Sequence, residues 1–328
     1  MSTINNIYFF SSKLQANLLD LGRNSTARSY MSAIRSFFEF TGNEGLTFGE
    51  LTPRLLKDYE QYLYNKGCKS NTVSLYMRML RSICNQAAKQ EGVELAPDLF
   101  KEVFTGSQSC HKRAVSPTVI QRLYELDLDD CSSFLSFSRD LFLLSFYLRG
   151  IPFVDLCLLR KRDISGNILT YRRSKTGREL TVCLEPCALS LLRKYASLVK
   201  GSPYLLPLLR HPGVDEYRQY QSALRLYNLH LGKLSKLLGL KESLTSYVAR
   251  HSWATAAYHK GIPVAVISES LGHSSEKVTY NYLGSFDHRI LKQANRKVLS
   301  LIFPRGATKR ALFPHPFSSD SGDNKRLL

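Results

Sequence analysis

The chain has 328 residues, enough for two domains, and its 44% hydrophobic and 22% charged residues are those of an ordinary soluble globular protein. It is strongly basic: 45 Lys+Arg against 27 Asp+Glu give a net charge of +18, which favours a polyanionic partner through attraction and counterion release. Seven cysteines with no Cys-x-x-Cys pair argue against a disulfide framework or a zinc site. The longest strongly apolar run, Leu141 to Leu148, is too short to span a bilayer, and the N-terminus lacks a signal-peptide pattern, so a cytoplasmic protein with no membrane partner is expected.

Residues 1–105 read as a small helical domain. Ser25 is placed to cap a helix with Tyr30, Ile34, Phe37 and Phe38 on one face, closed by Gly42. Thr52-Pro53 opens a second helix with Leu56, Tyr59 and Leu63 inward and Gly67 as its stop. Ser70 opens a third, with Val73, Tyr76, Leu80, Ile83 and Ala87 inward and Arg78, Arg81 and Lys89 outside. Residues 106–114 are small, polar and basic and read as a linker. Ser116-Pro117 opens the next helix, and a long apolar helix runs from about Phe134 to Arg149. The one convincing β segment is a hairpin, Asn167 to Arg173 and Glu179 to Leu184, with Gly177 in its turn. Helices are expected at about 187–199, 217–238, 247–260, 263–271 and 276–301, with a tail from residue 304. The charge is uneven: residues 1–105 hold 12 Lys+Arg and 10 Asp+Glu, a net +2, leaving +16 for residues 106–328.

The chemistry lies near the C-terminus. Leu271-Gly272-His273 is followed nine residues after its histidine by Tyr282, and about twenty residues upstream stands Ala249-Arg250-His251-Ser252-Trp253. Cleaving a phosphodiester without metal requires cations on the phosphoryl oxygens, an in-line nucleophile and an acid for the leaving oxygen. Arginine suits the first task because its fork binds two oxygens and stays charged. Tyrosine suits the second when the covalent intermediate must survive to be religated. Tyr280, two positions from Tyr282, is an equally reactive residue type.

On these strings the chain resembles the tyrosine recombinases, also called the phage integrase family, over nearly its whole length. Ser174-Lys175-Thr176-Gly177 is similar to that family's β-hairpin lysine motif, and the order and spacing of the strings together are specific where each alone is weak. The resemblance implies a mainly α fold with a small antiparallel β-sheet. A helical, SAM-like core-binding domain would span 1–105, a mixed α/β catalytic domain 115–303 and a flexible tail 304–328. It implies that Arg250 clamps the scissile phosphate, Lys175 protonates the leaving 5′-oxygen, His273 hydrogen-bonds the phosphate or assists proton transfer, and Tyr282 attacks phosphorus to form a 3′-phosphotyrosine. His251 would support the site. Implied partners are double-stranded DNA with paired recognition sites, a homotetramer on that DNA and, in some systems, accessory DNA-bending proteins; no cofactor or metal is implied. Candidate DNA contacts are Arg28, Arg35, Arg78 and Arg81 in the first domain and Arg172 and Arg173 on the hairpin, each of which alone also reads as a solvated surface charge.

Two departures stand out. The family's first arginine usually precedes an acidic residue by three positions, yet three before Asp155 stands Pro152, so Arg149 is taken as the first clamp, after a local shift before Pro152. Tyr247 lies three before Arg250, where the family often has histidine. A phenol there can donate a hydrogen bond to phosphate but is no neutral-pH base. These variants resemble bacterial DNA invertases and mobile-element integrases. The expected activity is site-specific recombination by strand exchange. The rivals are type IB topoisomerase-like relaxation and a non-catalytic DNA-binding protein on the same fold.

Overall fold

A computed structural model describes residues 5–108, 113–280, 282–283 and 288–302, without the side chains of 288–291, 293, 294 and 302. The chain divides into two compact units after His111.

The first unit is four helices: α1 (Ile7–Asp20), α2 (Asn24–Thr41), α3 (Pro53–Asn65) and α4 (Ser70–Glu91). Sequence reasoning missed α1, although Ile7, Phe10, Leu14 and Leu18 are buried at helical spacing and Asn6 caps it by accepting from the Phe9 amide at 2.9 Å. Ser25 lies inside the first turn of α2, whose N-cap is Arg23; Gly42 closes that helix in the left-handed conformation. Phe37, Phe48 and Tyr59 are fully buried at the centre, with Phe37 and Tyr59 edge to face at 5.0 Å. The start of the expected linker belongs to this unit. Arg81 Nη2 donates to Thr105 Oγ1 at 2.8 Å, Ser74 Oγ donates to the Gly106 carbonyl, and the Asn71 and Gln108 pair is bonded in both directions.

The second unit opens with α5 (Pro117–Glu125), capped by Ser116. Its centre is α6 (Ser133–Tyr147), where four consecutive residues, Leu141 to Leu144, are at most 2% exposed, so the helix is apolar all round. It packs against α8 (Pro186–Tyr195), α9 (Glu216–Leu237) and α10 (Val248–His259). Asp140 is buried on α6. Burial alone would raise its carboxyl pKa, but hydrogen bonds from Lys194 and Tyr195, each at 2.6 Å, and from Arg139 at 2.9 Å pull it below the usual range. Before the sheet comes the short α7 (Phe153–Leu158). The sheet is antiparallel in the order β1 (Ile164–Ser165), β2 (Ile168–Arg172), β3 (Glu179–Cys183). Tyr171 stands opposite Leu180 and Arg172 opposite Glu179, and burial alternates along both long strands. The remaining helices are α11 (Val264–Leu271), α12 (Glu276–Tyr280) and α13 (His288–Ile302).

Two expectations change here. Helix α6 ends at Tyr147, and Arg149 follows it with φ +58°, outside the helix. The helix expected over 276–301 is two helices, and Tyr282 sits between them in a turn, its amide donating to the Thr279 carbonyl at 2.8 Å. A small second core gathers Ala254, Ala257, Ile267, Leu271 and Leu283, with Tyr282 packed against it. Among the described residues no helix is long and apolar enough to cross a membrane. The tail expected from residue 304 lies outside the described residues.

Candidate active site

The site is assembled around Leu271-Gly272-His273. Helix α11 ends at Gly272, which takes φ +64° and donates its amide to Glu269 O at 2.9 Å, and the His273 amide bonds to Ser268 O at 3.0 Å. A Cβ on Gly272 would lie 2.9 Å from Leu180 Cδ1 and 3.2 Å from Arg173 Cγ, so glycine also lets the hairpin close on this turn. The hairpin then grips it. The three carbonyls in succession accept from Arg173 Nη1 (Leu271 O), from Thr176 Oγ1 at 3.5 Å (Gly272 O) and from Arg178 Nη1 at 3.0 Å (His273 O). Lys175 is thereby carried, exposed, on a turn fastened to the segment that bears His273.

Arg250, in the first turn of α10, is 2% exposed. Its Nη1 donates to Gly150 O at 2.8 Å; its Nη2 donates to Leu271 O and lies 3.0 Å from His273 Nε2; its Nε has no hydrogen-bond partner among the described residues. Burial, then the charge of Arg173, lowers its pKa to about 10, so it stays cationic at neutral pH. Gly150 makes this approach possible. It has φ +72°, and a Cβ there would stand 2.7 Å from Arg250 Cα. Arg149, immediately before it, is also left-handed, with φ +58°.

His273 is held at both nitrogens, with Nδ1 2.8 Å from Thr279 Oγ1 and Nε2 facing Arg250. Since Arg250 can only donate, the network assigns Nε2 as acceptor and Nδ1 as the protonated nitrogen. Burial first, then the charges of Arg250, Arg173 and Lys175, lower its pKa to about 3, so the imidazole is neutral. The Tyr282 ring lies in this cluster, with centroids 4.7 Å from both the His251 and the His273 rings and Arg250 Cζ 5.6 Å from its own. Tyr247 is about half exposed. Burial, then the neighbouring Tyr282 phenol to which it is hydrogen-bonded, raises its pKa.

The structure therefore brings together Arg250, His273, Tyr282, Tyr247 and His251, with Lys175 close enough for its charge to act on His273. Tyr280 is 53% exposed. Arg149 donates from Nη1 to Thr181 O on strand β3 at 3.4 Å. Arg173 departs from the expectation of a DNA contact at the surface. It is 5% exposed, because it continues the inward phase of Leu169 and Tyr171, and its Nε forms a 3.0 Å ion pair with buried Asp155, whose Oδ1 also accepts from the Ser174 amide. Arg172, on the outward phase, is exposed, as are Arg28, Arg35 and Arg78. Arg81 is instead half-buried over the Phe100 ring and bonded to Thr105. Sequence reasoning missed the Asp155–Arg173 pair and the role of Arg178; strand alternation carried a signal for the first.

Two family models cover the chain. Residues 7–102 match the phage integrase SAM-like domain and residues 114–289 match the phage integrase family. The tyrosine recombinase XerA of Pyrococcus horikoshii is 24% identical over 257 residues, 70% of this chain and 88% of its own. The tyrosine recombinase XerC of Rickettsia felis is 23% identical over 280 residues, 80% and 88%. In fold, a lambda integrase dimer bound to a core site has a TM-score of 0.62 at 18% identity, covering 83% of this chain and 75% of that one. The integrase of the transposon Tn1549 with transposon-end DNA has a TM-score of 0.60 at 13% identity, covering 90% and 99%. With a catalytic-domain match over more than half its length, and a tyrosine, a histidine and a buried arginine converging in that domain, this chain belongs to the phage integrase family of tyrosine recombinases.

Proposed function

We propose that this protein is a site-specific DNA recombinase that cuts and rejoins strands through a tyrosyl intermediate. The observation that carries the reading is the Tyr282 ring seated against His273 and beneath the Arg250 guanidinium, in a basic unit with the family's hairpin lysine alongside. The scissile phosphate is bound at Arg250, whose Nε and remaining Nη1 hydrogen have no partner in the hydrogen bonds described above. The Tyr282 oxygen attacks phosphorus, the P–O5′ bond breaks, and Lys175 delivers a proton to the departing 5′-oxygen. His273, neutral and with Nε2 unprotonated, is placed to accept the tyrosine proton, and Tyr247 donates to the same region. Religation runs the steps backward with a new 5′-hydroxyl. Cations around the phosphate stabilise charge that grows in the transition state, which is where such groups act most strongly.

The partner is double-stranded DNA with paired sites. The net +16 of residues 106–328 supports it, and Arg28, Arg35, Arg78 and Arg172 are exposed candidates for phosphate contacts. A tetramer on DNA is part of the proposal. A lambda integrase tetramer on a Holliday junction shares the fold with a TM-score of 0.60 at 17% identity. On α13 Val298 and Leu301 are exposed, while the side chains of Ile290, Leu291 and Ala294, counted on the same face from sequence, lie outside the described residues. A plasmid carrying DNA from both flanks of the gene tests the activity. Recombinant products requiring two sites support the proposal, whereas relaxation of any supercoiled plasmid without recombinants would make the protein a topoisomerase, and site binding without strand breakage a DNA-binding protein.

A further inference from the structure

Arg250 is the one guanidinium that both the sequence motif and the site geometry bring to the phosphate. His273 beside it is neutral, and the Lys175 proton is spent on the leaving oxygen. A pentacoordinate phosphorus carries close to two negative charges on its non-bridging oxygens, so one guanidinium leaves part of that charge unbalanced. A second guanidinium buried in this pocket is that of Arg173. Its Nη1 and the Nη2 of Arg250 donate to the same acceptor, Leu271 O, which sets the two guanidiniums side by side. Arg173 is also the first charge acting on Arg250, and together with Arg250 and Lys175 it acts on His273. Its Nε side is fixed by buried Asp155, which in turn holds the Ser174 amide at 2.9 Å, one residue from Lys175. Burial does not separate the two arginines, since Arg250 at 2% is the less exposed and Arg173 stands at 5%. A phosphate that reaches one arrives beside the other.

We propose that Arg173, oriented by Asp155 and paired with Arg250 across the Leu271 carbonyl, is the second phosphate-binding guanidinium of this site, in the place that Arg149 was expected to fill. The assignment rests on the recombinase reading above. Asp155 fixes the plane of the fork before substrate arrives, so little reorganisation is needed as charge develops. A residue that only held the hairpin would matter equally for every substrate. A residue that balances phosphate charge matters less when that charge is removed.

The test measures SDS-resistant protein–DNA adduct on a half-site whose scissile linkage is either an ordinary phosphodiester or a neutral methylphosphonate. The variants are Arg173→Lys, which keeps a charge for Asp155, and the double variant Asp155→Asn with Arg173→Gln, which leaves no buried unpaired charge. Their folding is checked by melting temperature. On the phosphodiester both should lose about 10²-fold or more in adduct formation. On the methylphosphonate their deficit relative to the parent should shrink to within about tenfold. Parental cleavage of the phosphodiester by Arg173→Lys and by the double variant would overturn the proposal, above all if Arg149→Ala alone abolished it. An equal deficit on both linkages would make Arg173 a structural anchor and overturn it too. If the parent protein itself forms no adduct on either linkage, the recombinase reading fails and the assignment falls with it, a result distinct from failure of Arg173 alone.

Discussion

Gly150→Ala is the sharpest structural perturbation of the site, because it touches Arg250 without altering any group that reacts. Two costs add. A left-handed backbone penalises an L-residue by about 1–2 kcal/mol. The new methyl would stand 2.7 Å from Arg250 Cα and 3.1 Å from its Cβ, so α10 or the Arg149-Gly150 turn must shift, and such overpacking costs about 1–3 kcal/mol. The expected loss is thus about 2–5 kcal/mol in the second unit, from the sum of these two ranges. Gly239→Ala is the control, since Gly239 has φ +66° but nothing within 4 Å of a Cβ. It should lose only the conformational part, about 1–2 kcal/mol. The assay is urea unfolding followed by the fluorescence of Trp253, the single tryptophan of the chain, which lies in α10 and so reports on the second unit. Gly150→Ala should also cleave poorly under folding conditions, because a displacement of order 1 Å at a phosphate-binding group can cost about 10²-fold, whereas folded Gly239→Ala should cleave like the parent. If Gly150→Ala were no less stable than Gly239→Ala and cleaved at the parental rate, the close approach of Gly150 to Arg250 would have no part in building the site.

Three further outcomes are expected. Lys175→Ala should block cleavage of ordinary DNA and recover on a substrate with a 5′-bridging sulfur, whose departure needs little protonation; no recovery with DNA binding intact would move the general acid elsewhere, His273 being next. The pKa of His273 is about 3 in the fold against 6.5 unfolded, so the unfolded state takes the proton first as pH falls. Its contribution is therefore complete above pH 6.5 and lost between there and about 3; the urea midpoint should drop over that window more steeply in the parent than in His273→Gln, and equal slopes would show that burial does not hold the imidazole neutral. Removing residues 286–328 should leave a soluble protein that binds a half-site but no longer binds paired half-sites cooperatively in gel-shift titration; undiminished cooperativity would eliminate docking by this segment, and insolubility would instead mark it as part of the second unit's own packing.

Much of this was legible in the sequence where local chemistry decides the outcome. Ser116-Pro117, Thr52-Pro53 and Gly42 mark helix ends by capping and backbone preference, and they do so in the structure. The hairpin was legible from alternation and Gly177, which takes φ +68°. The same alternation, carried one residue further, puts Arg173 inside. It was overlooked because arginine is read by default as a surface residue, and burying one needs a partner such as Asp155, which stands far off in sequence. The end of α6 was misread for a related reason. The apolar run through Leu148 continues the helical pattern, but the turn that lets Gly150 touch Arg250 is a tertiary demand that overrides it. The grip of Thr176 and Arg178 on the Gly272 and His273 carbonyls could not be seen at all, because backbone carbonyls leave no mark on a sequence pattern. Likewise the spacing from His273 selected Tyr282 over Tyr280, but the break between α12 and α13 that frees Tyr282 from a helix was hidden by continuous helical periodicity.

Strand exchange of the proposed kind requires Tyr282 to become covalently joined to DNA. The direct measurement is to trap the protein on DNA flanking its gene with a nicked suicide substrate, digest the adduct and sequence the peptide that retains the nucleotide. One modified peptide is expected, carrying a 3′-phosphotyrosine at Tyr282, with a free 5′-hydroxyl on the released strand, and no adduct from Tyr282→Phe, although that variant still binds the site. A label on Tyr280 or Tyr247, or an adduct that persists in Tyr282→Phe, would contradict it.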